Sequence, residues 1–334
     1  YYLAEAGHEV ALFERYGNVA QEASFGNLDL MGPSGLRLWA TPGAPSRIFS
    51  MLFRPESPFA FSARFEPAMW RWLKRSMSES ALSRFKQNQQ RLYRLASYSQ
   101  ELMQHLVQTR ELDFQQRNSM MIMFRTAREL EMAHPYMELL GEFGSRNELL
   151  DPEAARLLEP ALSTETAFHS ALHVPDDWAG NCPLFVRQLK TLSQDKGVEF
   201  HFNSEIQSIR PELGGTSLQL EGRSVDVDGV VVAAGSDSVR LLKGMGISLP
   251  IYPVKVYSAS MAIQEFELAP QTSLFDDTYR VGLTRLGKRI RIAGCAELGS
   301  SNLDLHHKAV NTLVKVADDW FPNAANYQIG RAHV

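Results

Sequence analysis

Cysteine is nearly absent from this chain, whose 334 residues hold two, Cys182 and Cys295. Neither has a zinc-like CxxC neighbour, so no disulfide scaffold or structural zinc is expected, and a reducing, cytoplasmic compartment is the default. Long apolar runs are missing as well, and none approaches the roughly 18 residues that span a bilayer. The net charge of −4 gives no general surface for a polyanion. Nucleic-acid binding would then need a local basic stripe. The richest candidate, Arg285 to Arg291, alternates with apolar residues as a half-exposed strand does, so no nucleic-acid partner is expected. His8, His105, His134, His169, His173, His201, His306 and His307 are scattered and read as structural or surface residues. No Ser-His-Asp arrangement or metal-ligand cluster stands out, and no metal site is expected. The phosphate-binding G-x-G-x-x-G fingerprint is missing too.

That last absence matters because of how the chain opens. Tyr1 to Arg15 reads as the end of a helix, a turn at Gly7, a buried strand, and an acid, Glu14, at the strand's C-terminal end. In a dinucleotide-binding βαβ unit such an acid follows the glycine fingerprint by about 20 residues and binds a ribose hydroxyl. Counting back from Glu14 lands before Tyr1, so the first strand and the glycine loop are expected to lie outside this stretch. Strands deprived of that neighbour would leave backbone groups unpaired, and the fragment alone is expected to fold poorly and be inactive. At the other end, Ile329 to Val334 is what ATC GGA AGA GCA CAC GTC encodes, a common sequencing adapter. Residues 329–334 are therefore set aside as a fusion scar would be, with a genuine C-terminal turn as the alternative.

Between the ends, 44% apolar and 22% charged residues describe an ordinary globular protein, and the length suits one large or two ordinary domains. Gly17 to Pro67 is rich in Gly, Pro, Ser and Ala, yet it carries Phe25, Leu28, Leu30, Leu36, Leu38 and Trp39. It is too apolar for a linker and reads as a loop packed over a ligand. Helical spacing predicts a long amphipathic helix from Ser80 to about Arg110, another over Ala127 to Phe143, and a last one from Leu305 to Trp320. Asp151-Pro152 opens a short helix, and Asn181 caps one that Gly197 stops. Strands are expected over Arg117 to Phe124, Val198 to Asn203, Glu205 to Arg210, Ser217 to Glu221 and Ser224 to Ala233. An antiparallel group is expected at Val254 to Ile263, Tyr279 to Thr284 and Arg289 to Glu297. Val230-Val231-Val232 shows no alternation, which predicts burial on both faces, as in a parallel sheet. The Ala233-Ala234-Gly235 that follows permits close backbone approach to a ligand.

Three stretches together, Gly7 to Glu14, Gly197 to Ile206 and Val225 to Ser236, resemble the D-amino-acid oxidase superfamily of flavoproteins, most closely its bacterial D-amino-acid dehydrogenases. The likeness runs from Tyr1 to about Tyr327 and includes Trp39, Pro42-Gly43, Pro175-Asp176-Asp177, Gly180-Asn181-Cys182 and Phe185. It implies a FAD-binding, Rossmann-like doubly wound α/β domain over 1–78 plus 145–250. This is interleaved with an α+β substrate domain on a mixed or antiparallel sheet over 79–144 plus 251–328. FAD is the implied cofactor, with Glu14 on the adenosine ribose and Arg15 beside it. Ser24 and Asn27 belong to a Ser-x-x-Asn loop beneath the flavin, Ile206 makes a backbone contact to adenine, and Ala234-Gly235 lies close to the diphosphate and ribose.

The entry into the substrate sheet, Leu249 to Lys255, also matches. Lys255 and Tyr279 are the substrate-side candidates, Tyr279 either as a hydrogen-bond donor to the substrate carboxylate or as a buried structural tyrosine. Leu28-Asp29 departs from the family's two small residues after the loop asparagine, and Val256 from its glycine after the lysine. The family's Gly-Leu-Arg-Pro segment, with an arginine expected on the substrate carboxylate, would follow Tyr327. The implied reaction is oxidative deamination of a D-amino acid such as D-alanine to a 2-oxo acid and ammonia. Hydride goes to the flavin and electrons pass to a quinone or other respiratory acceptor, with peripheral contact to the inner face of the plasma membrane. The alternatives are a glycine- or sarcosine-type oxidase or a related amine or 2-hydroxy-acid dehydrogenase, told apart by electron acceptor, and a non-catalytic interaction module.

Overall fold

The computed structural model describes residues 1–35, 41–42, 57–61, 66–299, 304–327 and 332–333. Leu36, Leu38, Trp39 and Gly43 of the expected ligand loop lie outside these residues. The chain divides into two compact units, 1–25 with 183–253 and 26–182 with 254–334, each discontinuous in sequence.

In the smaller unit a short helix, Tyr2–Glu5, turns at Gly7 (φ +90°). The strand Ala11–Phe13 then pairs in parallel with Glu199–His201, Leu12 opposite Phe200. A helix, Cys182–Gln194, precedes the second of these strands and is followed by Gly197 at φ +85°, the left-handed position that favours glycine. Ser208–Glu212, Gly215–Leu220 and Arg223–Val227 follow as an antiparallel meander. Its core is Ile209, Leu218, Leu220 and Leu241, with Phe13, Ile206, Val232 and Ala234 packed against it. The expected strand Ser224 to Ala233 is corrected here. Pairing stops at Val227, and Val231 is 77% exposed. Among the described residues no strand pairs with 228–233, and an apolar run is buried on both faces only where strands flank it and helices cover it.

The larger unit is built on one mixed sheet. Neighbour to neighbour it runs Ala332–His333, Lys255–Ala262, Arg289–Leu298, Val281–Leu286, Ser273–Asp276, Arg117–Phe124, Ser170–Ala179 and Leu30–Met31. Along this path every pairing is antiparallel except Ser273–Asp276 with Arg117–Phe124. Phe59–Phe61 adds a parallel partner to Arg289–Leu298, and Glu148–Leu150 an antiparallel one to Ser170–Ala179. Side chains alternate across the sheet. Met121 and Met123 join Leu313, Val316 and Trp320 of the helix His307–Trp320 on one face. Met120, Ile122 and Phe124 meet Phe85 of the helix Leu82–Arg110 and Ala133, Tyr136 and Leu140 of the helix Ala127–Glu142 on the other.

Local signals set the helix starts. Thr126 and Glu129 form a reciprocal capping box, and Asp151 accepts from the Ala154 N–H at 2.8 Å with Pro152 in the first turn. The helix Pro67–Ser78 and the strand Ser170–Ala179 were not expected from the sequence. In that strand, Val174 faces Met120 and Trp178 faces Asn118, so Pro175, Asp176 and Asp177 stand opposite Ser119 alone. Proline has no N–H for the ladder, and the strand bulges where it sits.

A buried carboxylate fastens this unit. Asp276 Oδ2 accepts from Arg125 Nε and Trp320 Nε1, each at 2.8 Å, while Oδ1 accepts from the Tyr279 N–H at 3.0 Å. Asp276→Ala is expected to cost about 3–5 kcal/mol, because it strands a guanidinium and an indole N–H in the interior. Asp319→Ala removes a carboxylate that is itself 24% exposed, the outer partner of Arg125 and the partner of Lys315. It should cost about 1 kcal/mol or less. Urea unfolding of both variants checks the contrast, and equal losses would contradict it.

Candidate cofactor and substrate site

In the smaller unit Glu14 sits directly after the strand Ala11–Phe13. Its N–H donates to the His201 carbonyl, its own carbonyl accepts from Ser204 N–H, and its Oε1 accepts from Tyr16 N–H at 2.9 Å. The carboxylate is thus held at the C-terminal end of the parallel pair, and the Glu14 backbone is bonded to the start of the Ser204-to-Ile206 segment. Arg15 pairs with both Glu22 and Asp237, contacts that hold its guanidinium firmly charged. Asp237 closes a 3-10 turn that begins at Gly235, so this ion pair joins Glu14-Arg15 to Ala234-Gly235 across more than two hundred residues of chain. Gly235 has φ +53°, and a Cβ built there would meet nothing within 4 Å. Ile206 completes the group, its side chain on the small core and its carbonyl accepting from Arg240. Ser24 lies near the end of this unit's first segment.

In the larger unit the Gly26-to-Gly35 segment lies on the sheet. Asn27 Oδ1 accepts from the Asp29 N–H at 3.0 Å. Leu28 covers Gly282, where a Cβ would come within 2.6 Å of Leu28 Cδ2. Asp177, freed from the ladder by the bulge, accepts from the Ser34 and Gly35 N–H groups. A Cβ on Gly32 would come within 2.2 Å of its carboxyl carbon, so only glycine fits there. Burial pushes the Asp177 carboxyl up to about 7. Arg291, read from the sequence as half-exposed, is 6% exposed, and its Nε lies 3.8 Å from Asp29 Oδ2.

The two substrate-side candidates are both held firmly. Lys255 Nζ donates to the Asp304 carbonyl at 2.5 Å, lies 3.6 Å from Glu297, and sits over the Tyr257 ring. Tyr279 packs on the core, its ring flanked by Arg125 at 5.0 Å and Lys315 at 5.3 Å. Among the described residues, no group of three or more His, Cys, Asp or Glu is placed to hold a metal.

Residues 1–334 match the family model DAO, FAD dependent oxidoreductase. This chain belongs to that family. It is 35% identical to a D-amino acid dehydrogenase of Vibrio cholerae serotype O1, over 99% of this chain and 79% of that protein. It is 34% identical to a D-amino acid dehydrogenase of Neisseria meningitidis serogroup C, over 98% of this chain and 79% of that protein. In fold it matches glycine oxidase from Geobacillus kaustophilus with a TM-score of 0.74 at 19% identity, over 99% of this chain and 76% of that one. L-alpha-glycerophosphate oxidase from Mycoplasma pneumoniae, solved with FAD bound, matches at 0.62 and 14% identity, over 98% and 77%. As a member of the DAO family the chain is a FAD-dependent oxidoreductase.

The residues present fit that cofactor. A carboxylate at a strand end suits the vicinal hydroxyls of a ribose, and the open space at Gly235 lets a ligand approach the backbone. Asp177 and Arg291 were not singled out as functional from the sequence. A usable signal for the first was Pro175, which breaks a strand next to an acid. For the second there was none, since an Arg-x-Arg alternation does not say which arginine faces the interior.

A pH test follows from Asp177. Its folded carboxyl titrates well above the ordinary carboxylate range, so its contribution to stability is full below about pH 4 and is lost as pH rises through about 7. Asp177→Asn carries no charge at any pH. Its stability relative to the parent should therefore climb by about 4 kcal/mol between acid and mildly alkaline pH. Urea titrations at both ends of that range read the difference, and a gap independent of pH would refute it.

Proposed function

We propose that this chain oxidises D-amino acids, D-alanine among them, to 2-oxo acids and ammonia, and delivers the electrons to a quinone or another respiratory acceptor. The observation that carries this reading is the Arg15–Asp237 ion pair, which brings Glu14 to the Ala234-Gly235 turn. It occurs in a chain 35% identical to a D-amino acid dehydrogenase. In this reading the smaller unit holds the nucleotide. Glu14 accepts from the adenosine ribose, Arg15 braces it, and the Ile206 backbone faces adenine. Ala234 and Gly235 leave room for the diphosphate, and Ser24 and Asn27 lie beneath the flavin.

Bound FAD supplies the acceptor for a hydride from the substrate Cα. The protein's share is orientation, exclusion of water and charge. A substrate with a neutral amine directs its carboxylate toward the hydroxyl of Tyr279, whose ring is held between Arg125 and Lys315. Lys255, bonded to the Asp304 carbonyl and close to Glu297, is the second substrate-side group and fixes the start of its strand. The imine left after hydride loss hydrolyses in water. Anaerobic D-alanine should bleach the flavin of the loaded enzyme, L-alanine should leave it yellow, and a dye acceptor should restore it with little peroxide. Glu14→Ala should weaken FAD binding about tenfold or more. Peroxide as the main product would move the reading to an oxidase, and a flavin that no D-amino acid bleaches would end it.

Peripheral membrane contact belongs to the same proposal. The helices Pro67–Ser78 and Leu82–Arg110 expose Trp70, Met77, Leu95 and Tyr98, at 42–67%. Beside them stand exposed Arg71, Lys74, Arg75, Arg91 and Arg94, in a chain whose net charge is −4. Basic residues interleaved with exposed aromatic and aliphatic ones suit the headgroup layer of an anionic bilayer. Among the described residues, no helix is long and apolar enough to cross a membrane. The protein should co-sediment with phosphatidylglycerol vesicles and not with phosphatidylcholine ones, and Arg91→Glu with Arg94→Glu should abolish this. Indifference to lipid charge would count against the contact.

A further inference from the structure

We propose that Asp29 is a positioning residue, which locks the Gly26-to-Asp29 turn onto the sheet of the larger unit and so fixes the side chain of Asn27. Asp29 adopts φ +55°, a left-handed conformation that costs a side-chain-bearing residue unless its surroundings hold it there. Three hydrogen bonds do so. Its N–H donates to Asn27 Oδ1 at 3.0 Å, its carbonyl accepts from Gly180 N–H at 2.9 Å, and its Oδ1 accepts from Cys182 N–H at 3.2 Å. The residues before it are seated as well. Thr284 Oγ1 donates to the Leu28 carbonyl at 3.3 Å, and Gly26 lies so close to Ser258 that a Cβ would come within 2.8 Å of its hydroxyl oxygen.

The second carboxylate oxygen is the unusual part. Asp29 is 2% exposed, and its Oδ2 has no hydrogen-bond partner among the described residues. The charged groups that act on it are Arg291, 3.8 Å away on the strand Arg289–Leu298, and Arg289 on the same strand. Burial still pushes the carboxyl up to about 6 against their attraction. A carboxylate placed at such cost joins three segments distant in sequence: the 26–29 turn, the 180–182 segment and the strand of Arg291. The functional consequence falls on Asn27. Its amide oxygen is committed to the Asp29 N–H, which leaves the Nδ2 group as the donor it can offer.

This inference rests on the assignment of the Ser24-to-Asn27 stretch to the flavin. The test is a double-mutant cycle on the flavin-loaded enzyme with Asn27→Ala and Asp29→Gly, since glycine keeps the left-handed backbone and removes only the carboxylate. Each single variant should raise the FAD dissociation constant about tenfold and broaden the flavin visible band. Asp29→Gly should lower kcat with D-alanine while leaving KM near its starting value. Because Asp29 acts through Asn27, the double variant should bind FAD no worse than Asn27→Ala alone. Asp29→Asn, which keeps an acceptor for Cys182 N–H, should restore the band shape. Additive effects, or an Asp29→Gly enzyme with unchanged affinity and spectrum, would overturn the proposal while leaving the flavin assignment intact. Parent protein that binds no FAD overturns that assignment, and this inference with it.

Discussion

Asp276 is the point on which the larger unit turns. It is wholly buried, and its two oxygens collect donors from the end of one strand (Arg125), from the last turn of the helix His307–Trp320 (Trp320), and from the turn into the next strand (Tyr279 N–H). A buried carboxylate tolerates little displacement of its donors, because the interior does not screen a charge left unpaired. Its value lies more in specifying one arrangement than in adding net stability, since the desolvation cost offsets much of the attraction. Tyr279 is placed by this cluster twice, through its N–H on Asp276 and through the guanidinium of Arg125 over its ring. A residue with a proposed part in substrate binding therefore owes its position to a charge pair that touches no substrate.

The same device recurs where the 26–35 segment crosses the sheet. Asp29 fastens one end to Cys182 and Gly180, and Asp177 fastens the other to Ser34 and Gly35. Both carboxyls are pushed toward their neutral forms by burial. Small residues make the fit possible. Gly32 and Gly180 have no room for a side chain, the one against Asp177 and the other against the Phe114 ring. The clasp is thus a matter of volume and hydrogen bonding together, and neither alone would fix the path of the segment.

The smaller unit is held differently. Its strands are short, its core rests on four buried aliphatic residues, and Leu12, Val230 and Val231 remain exposed. Regions with few buried apolar contacts open most readily. A surface ion pair, Arg15 with Asp237, joins its two stretches of chain, and each side chain is 34% exposed. A bound nucleotide would add contacts to both sides of that pair, which is how binding to the native state raises stability.

Much of this was legible in the order of residues, and the reasons are local. The strand Arg117–Phe124, the Asp151-Pro152 start and the helix Leu82–Arg110 follow from propensity, capping and periodicity, which act within a few residues. So do the acid after Ala11–Phe13 and the open glycine at 235, which together with the family likeness pointed to FAD. Ser170–Ala179 stayed hidden because proline and aspartate are depleted in strands, and only a neighbouring strand and bulge make these residues part of a ladder. The valines at 230–232 misled in the opposite direction, since burial is a property of neighbours and not of a sequence run. Whether Arg291 faces inward, what Asp29 and Asp177 hold, and that Arg15 meets Asp237 were decided by tertiary structure alone. Each depends on groups distant in sequence coming within hydrogen-bond or charge range, and no local pattern records that distance.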